Sequence, residues 1–270
     1  CDCGHNRQMI GLAGCGRMGT PMLASLRSVG LRSKGFDVVD HDSDWITTDP
    51  KRFAQNLRTL ITVVRDIDQT EDVLFNTQGF VTSAPKLERI IVCSTLSPKY
   101  VCTLRTRVPD HITLIDAPMS GAQVAAQRAE LSFMLGGTTA DLDDAQMLFA
   151  SMGTTFHRMG EFGAGMQAKV LNNMLAASHT AMTRMVLDWA DEAGLDEKAM
   201  LELIDTSSGQ NWLASGFNKI EFARDGYTNE NTIGILVKDV EAAIDAAPIG
   251  ADLTPAKIIQ KMIFNLKPRQ

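Results

Sequence analysis

Met9-Ile-Gly-Leu-Ala13, followed at once by Gly14-Cys-Gly16-Arg-Met-Gly19, decides how this chain folds. The first five residues are a short apolar run of the kind buried in a sheet. The glycines then fall in a G-x-G-x-x-G pattern. Thr20 to Val29 reads as a helix, with Gly30 placed as its C′ glycine. Working outward, Ser33–Val38 is a second strand candidate. Leu60–Val64, Ile90–Cys93 and Ile112–Ile115 are three more short β-branched runs. The stretches between them, such as Gln69–Asn76 and Pro98–Arg107, have helical composition. Strand–helix alternation of this kind predicts a doubly wound parallel sheet with helices on both faces.

Past Gly160 the pattern changes. Gly165–Gly194 is one long helical stretch, and Lys198–Thr206, Trp212–Arg224, Ile233–Ala247 and Pro255–Asn265 also read as helices. Three glycines (160, 163 and 165) mark the change, so the expected organisation is an α/β domain over 1–160 and an all-α domain over 161–270, joined by the long helix. On that helix Leu171, Met174, Leu175, Met182, Met185, Val186 and Trp189 share one side, which is expected to be core. The chain has 270 residues, 44% of them apolar, with 26 Lys+Arg against 32 Asp+Glu for a net charge of −6. This balance argues against non-specific nucleic-acid binding, and no apolar run reaches the ~18 residues that suggest a membrane span. No apolar h-region opens the sequence, so no signal peptide is expected. Five cysteines, with Cys1 and Cys3 two apart and Cys15, Cys93 and Cys102 single, show no zinc spacing. They are expected to be reduced thiols in a cytoplasm-like compartment, and no metal site is expected.

The glycine pattern has a chemical reading because a strand precedes it and a helix follows. The first glycine permits the tight turn, the second lets the backbone approach a pyrophosphate, and the third lets helix and strand pack closely. The N–H groups at the helix start then hold the anion. An acidic residue is expected about 20 residues on. Asp37 fits, with Asp40 and Asp42 as rival positions. A carboxylate there accepts from ribose hydroxyls and repels a 2′-phosphate, which points to NAD, with NADP as the alternative.

Three further segments carry chemistry. In Asp116-Ala-Pro-Met-Ser120-Gly121-Ala122-Gln123, small residues and a hydroxyl follow an apolar strand and suit a small carboxylate. In Gly163-Ala-Gly165-Met-Gln-Ala-Lys169-Val-Leu-Asn172-Asn173, Lys169 and Asn173 lie at i and i+4 on one helix face, beside the small residues Ala176 and Thr180. A lysine so placed suits proton transfer, held by the asparagine at the domain seam. Lys238-Asp239 adds a second cation.

In this order the motifs resemble the β-hydroxyacid dehydrogenase family, which includes 3-hydroxyisobutyrate dehydrogenase and is related to 6-phosphogluconate dehydrogenase. The resemblance runs from Ile10 to about Ala247. It takes in Gly11-Leu-Ala-Gly-Cys-Gly-Arg-Met18-Gly19, Cys93-Ser94-Thr95-Leu-Ser-Pro98, Asp116 to Ala122 continuing to Leu131-Ser-Phe-Met-Leu-Gly136-Gly137, Gly163 to Asn173, and Lys238-Asp239. It implies a Rossmann domain followed by a helical substrate and dimerisation domain. By this resemblance Lys169 is the catalytic lysine and Asn173 its partner, while Ser120 and Gly121, with Ala122 beside them, hold the substrate carboxylate. Gly14, Gly16, Arg17, Met18, Gly19, Asp37, Val64, Arg65, Gln69 and Thr95 line the cofactor, and Lys238 lies near the nicotinamide and the substrate. Cys93 stands where the family usually has Asp, and Ala122 where it has a second Gly, so a methyl group enters the carboxylate pocket. Arg65 and Asp66 also depart from the usual small residues and would alter the cleft mouth.

The activity implied is hydride transfer between a small hydroxy acid and a nicotinamide dinucleotide in a cytoplasmic homodimer or homotetramer, with Lys169 as proton donor and acceptor. Oxidation needs an uncharged Lys169, which partial burial and the charge of Lys238 both favour. Three alternatives share the architecture: an imine reductase, which commonly lacks the lysine; an aldehyde or semialdehyde reductase; and a dinucleotide-binding module without turnover.

Overall fold

The computed structural model describes residues 8–270, so Cys1 and Cys3 lie outside the described residues. The chain runs through β1 (Met9–Ala13), α1 (Gly19–Ser28), β2 (Ser33–Phe36), β3 (Ile46–Thr47), α2 (Pro50–Ala54), β4 (Leu57–Thr62), α3 (Ile67–Leu74), α4 (Phe80–Ser83), β5 (Arg89–Val92), α5 (Pro98–Arg107) and β6 (Thr113–Asp116). It continues through β7 (Met119–Ser120), α6 (Gln123–Gln127), β8 (Leu131–Gly136), α7 (Thr139–Ala150), β9 (Gly153–Gly160), α8 (Ala164–Glu192), α9 (Glu197–Asp205), α10 (Trp212–Gly216), α11 (Thr232–Asp245) and α12 (Thr254–Phe264). Contacts divide it into two compact units, one ending at Lys169 and the other spanning Val170–Gln270.

The first unit is built on one sheet of order β3-β2-β1-β4-β5-β6-β8-β7, with β9 pairing with β8. From β3 to β6 every pairing is parallel, with registers such as Leu12 opposite Gly35 and Ile61. The chain reverses direction across the sheet between β2, β1 and β4. That reversal leaves a crevice at the carboxyl ends of these strands, where doubly wound sheets bind ligands. Strand alternation sends Ile10, Leu12, Ile61, Ile91 and Ile115 to one core with Met22, Leu26 and Phe133. Leu60, Ile90, Val92 and Leu114 go to the other core with Phe53, Phe80 and Leu104. The sheet therefore has two apolar faces, each covered by helices, as the continuous β-branched runs predict. Residues 131–160 extend the sheet beyond the alternating pattern: β8 runs antiparallel to β6 and β7 and parallel to β9.

The second unit is helical throughout, with two small cores. Ala177 and Ala181 of α8 pack with Ile233, Leu236 and Val240 of α11 and Ile263 of α12. Leu187 packs with Leu201, Ile204, Leu213 and Phe217. Two expectations are corrected here. The large apolar side of α8 is core only at its edges, where Met174 and Val186 pack against the two cores; Leu171, Leu175, Met182 and Trp189 are 50%, 60%, 47% and 63% exposed. The buried side is the one carrying Lys169, Val170, Ala177, Thr180, Ala181 and Arg184, because small side chains let neighbouring helices approach closely. Nor is Trp212–Arg224 one helix. It stops at Gly216, and turns follow with Ile220 N–H bonded to Gly216 O and Ala223 N–H to Ile220 O. The buried Arg184 guanidinium donates to the carbonyls of Ala223 and Asp225, at 2.8 and 2.9 Å, and to Lys267 O at 2.5 Å, holding this segment in place. Among the described residues no helix is long and apolar enough to cross a membrane.

Candidate active site

The turn between β1 and α1 is built by close packing at its ends and open space in its middle. Gly14 has φ +97°, and a Cβ there would lie 2.5 Å from Val63 O; a Cβ at Gly19 would lie 1.8 Å from Gly14 O. Neither position tolerates a side chain. An added Cβ at the exposed Gly16, by contrast, meets nothing within 4 Å. The backbone is bare where a phosphate would rest against the helix start. Asp37 follows β2 and faces this turn: its Oδ2 accepts from Cys15 N–H at 2.8 Å, and its Oδ1 accepts from Val39 N–H at 3.1 Å. His41 Nε2 stands 3.3 Å from Asp37 Oδ2. A cavity of about 640 Å³ lies beside the turn, lined by Cys15, Gly16, Thr20, His41, Gln123 and Gln127 among others. These residues fit a dinucleotide: a side-chain-free cradle, a helix N-terminus and one carboxylate at the end of β2. Of the rival acids, Asp37 is the one bonded to the glycine turn.

The ends of β4 and β5 are tied together by a residue the motif reading left without a role. Ser94, nearly fully buried, accepts from Val64 N–H at 2.9 Å, which aligns the Val64 segment with the loop carrying Thr95. Asp66 caps α3 by accepting from Gln69 N–H at 2.9 Å, and Gln69 Oε1 accepts from Arg65 N–H at 3.1 Å. Arg65 itself is exposed.

The Ser120 loop needs glycine at only one of its small positions. Gly121 has φ +127°, and a Cβ there would lie 2.8 Å from Ala125 Cβ. Ala122 has φ −72° and ψ 177°, ordinary extended backbone, so its methyl group strains nothing locally. Ser120 is half-buried, while Gly121 and Ala122 are exposed.

At the root of that loop Asp116 is fully buried. Its Oδ1 accepts from Gly163 N–H at 2.6 Å and its Oδ2 from Met166 N–H at 2.5 Å. Burial pushes its pKa above the ordinary carboxylate value, against the pull of the N–H bonds from Gly163, Met166 and Gly165. Leu96 N–H, in the Thr95 loop, points at Met166 Sδ at 3.3 Å. Lys169 follows Met166 by about one helical turn and is 7% exposed. The loops carrying Ser120 and Thr95 and the start of the lysine helix are thus bound to each other within the first unit.

In the second unit Asn173 Nδ2 donates to Asp239 Oδ2 at 2.6 Å, and Asp239 is buried. Lys238, beside it on α11, is half-buried. Asp239 was legible only as half of the Lys-Asp dipeptide; its partner sits 66 positions away, a pairing that helix periodicity cannot reveal. The two buried cysteines, Cys15 and Cys93, are held as thiols and are poor nucleophiles. The Cys15 thiol is pushed up to about 12 by burial and then by Asp37, and Cys93 higher still by burial and then by Asp116. Cys93 is a buried packing residue at the end of β5. Among the described residues no group of three or more His, Cys, Asp or Glu could hold a metal ion.

Comparison with known proteins agrees with this layout. A family model described as the NAD binding domain of 6-phosphogluconate dehydrogenase matches residues 9–160. A second, described as NAD-binding of NADP-dependent 3-hydroxyisobutyrate dehydrogenase, matches residues 163–267. The chain belongs to the β-hydroxyacid dehydrogenase family. Among its relatives, an NAD-dependent L-serine dehydrogenase from Pseudomonas aeruginosa is 27% identical, covering 97% of this chain and 93% of that protein. A mitochondrial 3-hydroxyisobutyrate dehydrogenase from Rattus norvegicus is 27% identical over 88% of this chain and 75% of its own. A solved structure of Mycobacterium tuberculosis 3-hydroxyisobutyrate dehydrogenase with L-serine superposes with a TM-score of 0.81 at 22% identity, covering 96% of each chain. The dehydrogenase is therefore an oxidoreductase with a nicotinamide-dinucleotide-binding domain, acting on hydroxyl groups. The exposed Gly16 and the carboxylate of Asp37 are the features of this dehydrogenase that fit the cofactor.

Proposed function

We propose that this protein transfers a hydride between a small hydroxy acid and NAD, with Lys169 carrying the hydroxyl proton. The observation that carries the reading is the placement of Lys169. It occupies the lysine position of the family motif, is buried, and sits one turn into a helix whose start is bonded to the loops bearing Ser120 and Thr95. Relatives named for L-serine and 3-hydroxyisobutyrate point to a short acid with a hydroxyl near its carboxylate.

Bound NAD supplies the hydride acceptor. The chain's own residues supply the rest. Ser120 Oγ and the backbone of Gly121 hold the carboxylate, which fixes the carbinol carbon. The Lys169 amine takes the hydroxyl proton during oxidation and returns it to the alkoxide oxygen during reduction. Asn173, oriented by its bond to Asp239, keeps the hydroxyl in line with that amine. Asp37 selects the unphosphorylated ribose, and Val64, Gln69 and Thr95 complete the first unit's share of the cofactor's surroundings. The exposed stripe Leu171, Leu175, Met182 and Trp189 supports assembly into a homodimer or larger oligomer; monomeric sedimentation at micromolar concentration would rule that out.

The test is a panel of hydroxy acids and their aldehydes with NAD and NADP, followed by absorbance of the reduced nicotinamide. Lys169→Ala should lower kcat about 10²- to 10⁴-fold, the range for a general acid–base group, with NAD affinity within about threefold. A variant keeping more than a tenth of wild-type kcat refutes the assignment.

A further inference from the structure

Asp116 has no part in the proposed chemistry, yet its geometry is unusual in this chain. The other helices with side-chain caps take them from the residue just before the helix: Asp49, Asp66, Ser97, Thr138, Asp196, Asn211 and Asn231. The start of α8 is held instead by a carboxylate 47 positions upstream of Gly163, fully buried at the end of β6. Gly163 and Met166 N–H groups donate to Asp116, Ala164 donates to Glu161 O at 2.9 Å, and Gln167 begins the helical ladder on Gly163 O.

Room for the carboxylate is made by glycine. A Cβ at Gly136 would lie 2.1 Å from Asp116 Oδ1, and one at Gly165 would lie 3.0 Å from Oδ2. Both oxygens accept N–H groups, which is the pattern of the ionised form, and a negative charge at a helix N-terminus is stabilised by the helix dipole. Ser120 follows Asp116 by four residues, and Lys169 follows Met166 by about 5 Å along the helix axis. One side chain therefore grips the root of the Ser120 loop and the start of the lysine helix.

We propose that Asp116 is a positioning residue of this dehydrogenase, setting the register of Lys169 against the Ser120 loop. The proposal rests on the reading of Lys169 as the proton carrier. A local cap would satisfy the helix equally well; a buried cap from the neighbouring strand also fixes how far the amine stands from a carboxylate-bound substrate. Loss of the bond lets the first turn of α8 shift, and proton transfer is sensitive to such shifts.

The experiment compares Asp116→Asn, Asp116→Ser and Lys169→Ala with wild type, using NAD and whichever of L-serine and 3-hydroxyisobutyrate turns over faster. Asp116→Asn is expected to keep NAD affinity and substrate KM within threefold while kcat falls at least thirtyfold. Its pH–kcat profile should move at least half a unit to lower pH, because the helix end beside Lys169 loses a negative charge while the buried Cys93, on which Asp116 also acts, stays protonated. Asp116→Ser should show the same split between kcat and KM. A folded Asp116→Asn with kcat within threefold of wild type and an unmoved pH profile overturns the proposal, as does failure of both variants to fold, which would make the carboxylate a folding group. Lys169→Ala separates the two readings: if it keeps its activity the proton-carrier assignment falls, whereas its inactivity beside a fully active Asp116→Asn removes only the role of Asp116.

Discussion

The starts of α1 and α8 are both written with closely spaced glycines, Gly14-x-Gly16 and Gly163-x-Gly165, and they are completed in opposite ways. At α1 the middle of the turn is bare: an added Cβ at Gly16 meets nothing within 4 Å. At α8 the space is filled from within, and a Cβ at Gly165 would lie 2.4 Å from Met134 O and 3.0 Å from Asp116 Oδ2. Both helices present N–H groups that need acceptors. One leaves that end open to an anion from outside, and the other spends it on the protein's own carboxylate. Spacing alone cannot separate a ligand cradle from a structural joint; what the neighbouring strand brings to the helix end does.

Substitution of the paired glycines tests this contrast directly. Gly165→Ala carries the largest expected effect. Alanine in a helix is ordinarily better than glycine by about 0.5–1 kcal/mol, but the backbone carbonyl of Met134 blocks the methyl group. A loss of about 2 kcal/mol, the middle of the overpacking range, lowers the melting temperature by roughly 4–8 °C; an unchanged or raised melting temperature breaks the comparison. Gly16→Ala should do the reverse. Its melting temperature should stay within about 1 °C of wild type, since nothing in the chain opposes the methyl group, while the NAD dissociation constant rises about tenfold, or about 1.4 kcal/mol. Unaltered NAD affinity, measured by calorimetry, would mean that the turn does not face the cofactor.

The smallest effect is expected at the carboxylate of the open site. Asp37→Asn keeps an oxygen for the Cys15 N–H but loses the charge that repels a 2′-phosphate. The ratio of kcat/KM for NADP over NAD should rise about fivefold, or about 1 kcal/mol; a ratio that does not move places cofactor choice elsewhere.

Most of the α/β framework was legible because its strands are buried on both faces and so read as β-branched runs between glycines. Helices α3, α5, α9, α11 and α12 lie within a few residues of their expected positions, since caps and prolines mark their ends. The antiparallel extension through β8 was not legible, because pairing partners are chosen by the sheet and not by local composition. The apolar side of α8 misled for a related reason. A stripe of Leu, Met and Trp says that a surface will be covered, but not whether the cover comes from this chain. The small-residue side was free to approach α11 and α12, and it became the interior.

Local sequence determined where the backbone bends and which side chains can carry chemistry: Gly14, Gly16 and Gly19 for the turn, Asp37 at the end of β2, Ser120 and Gly121 after β6, and Lys169 with Asn173 on one helix face. These depend on residue type and on fixed periods of the backbone, which neighbours along the chain already set. Only the tertiary structure decided that Asp116 caps a helix from the adjoining strand, that Ser94 joins two strand ends, and that Asp239 holds Asn173. Each joins residues 30 or more positions apart, and which buried polar groups must satisfy one another is settled only when folding removes water from both.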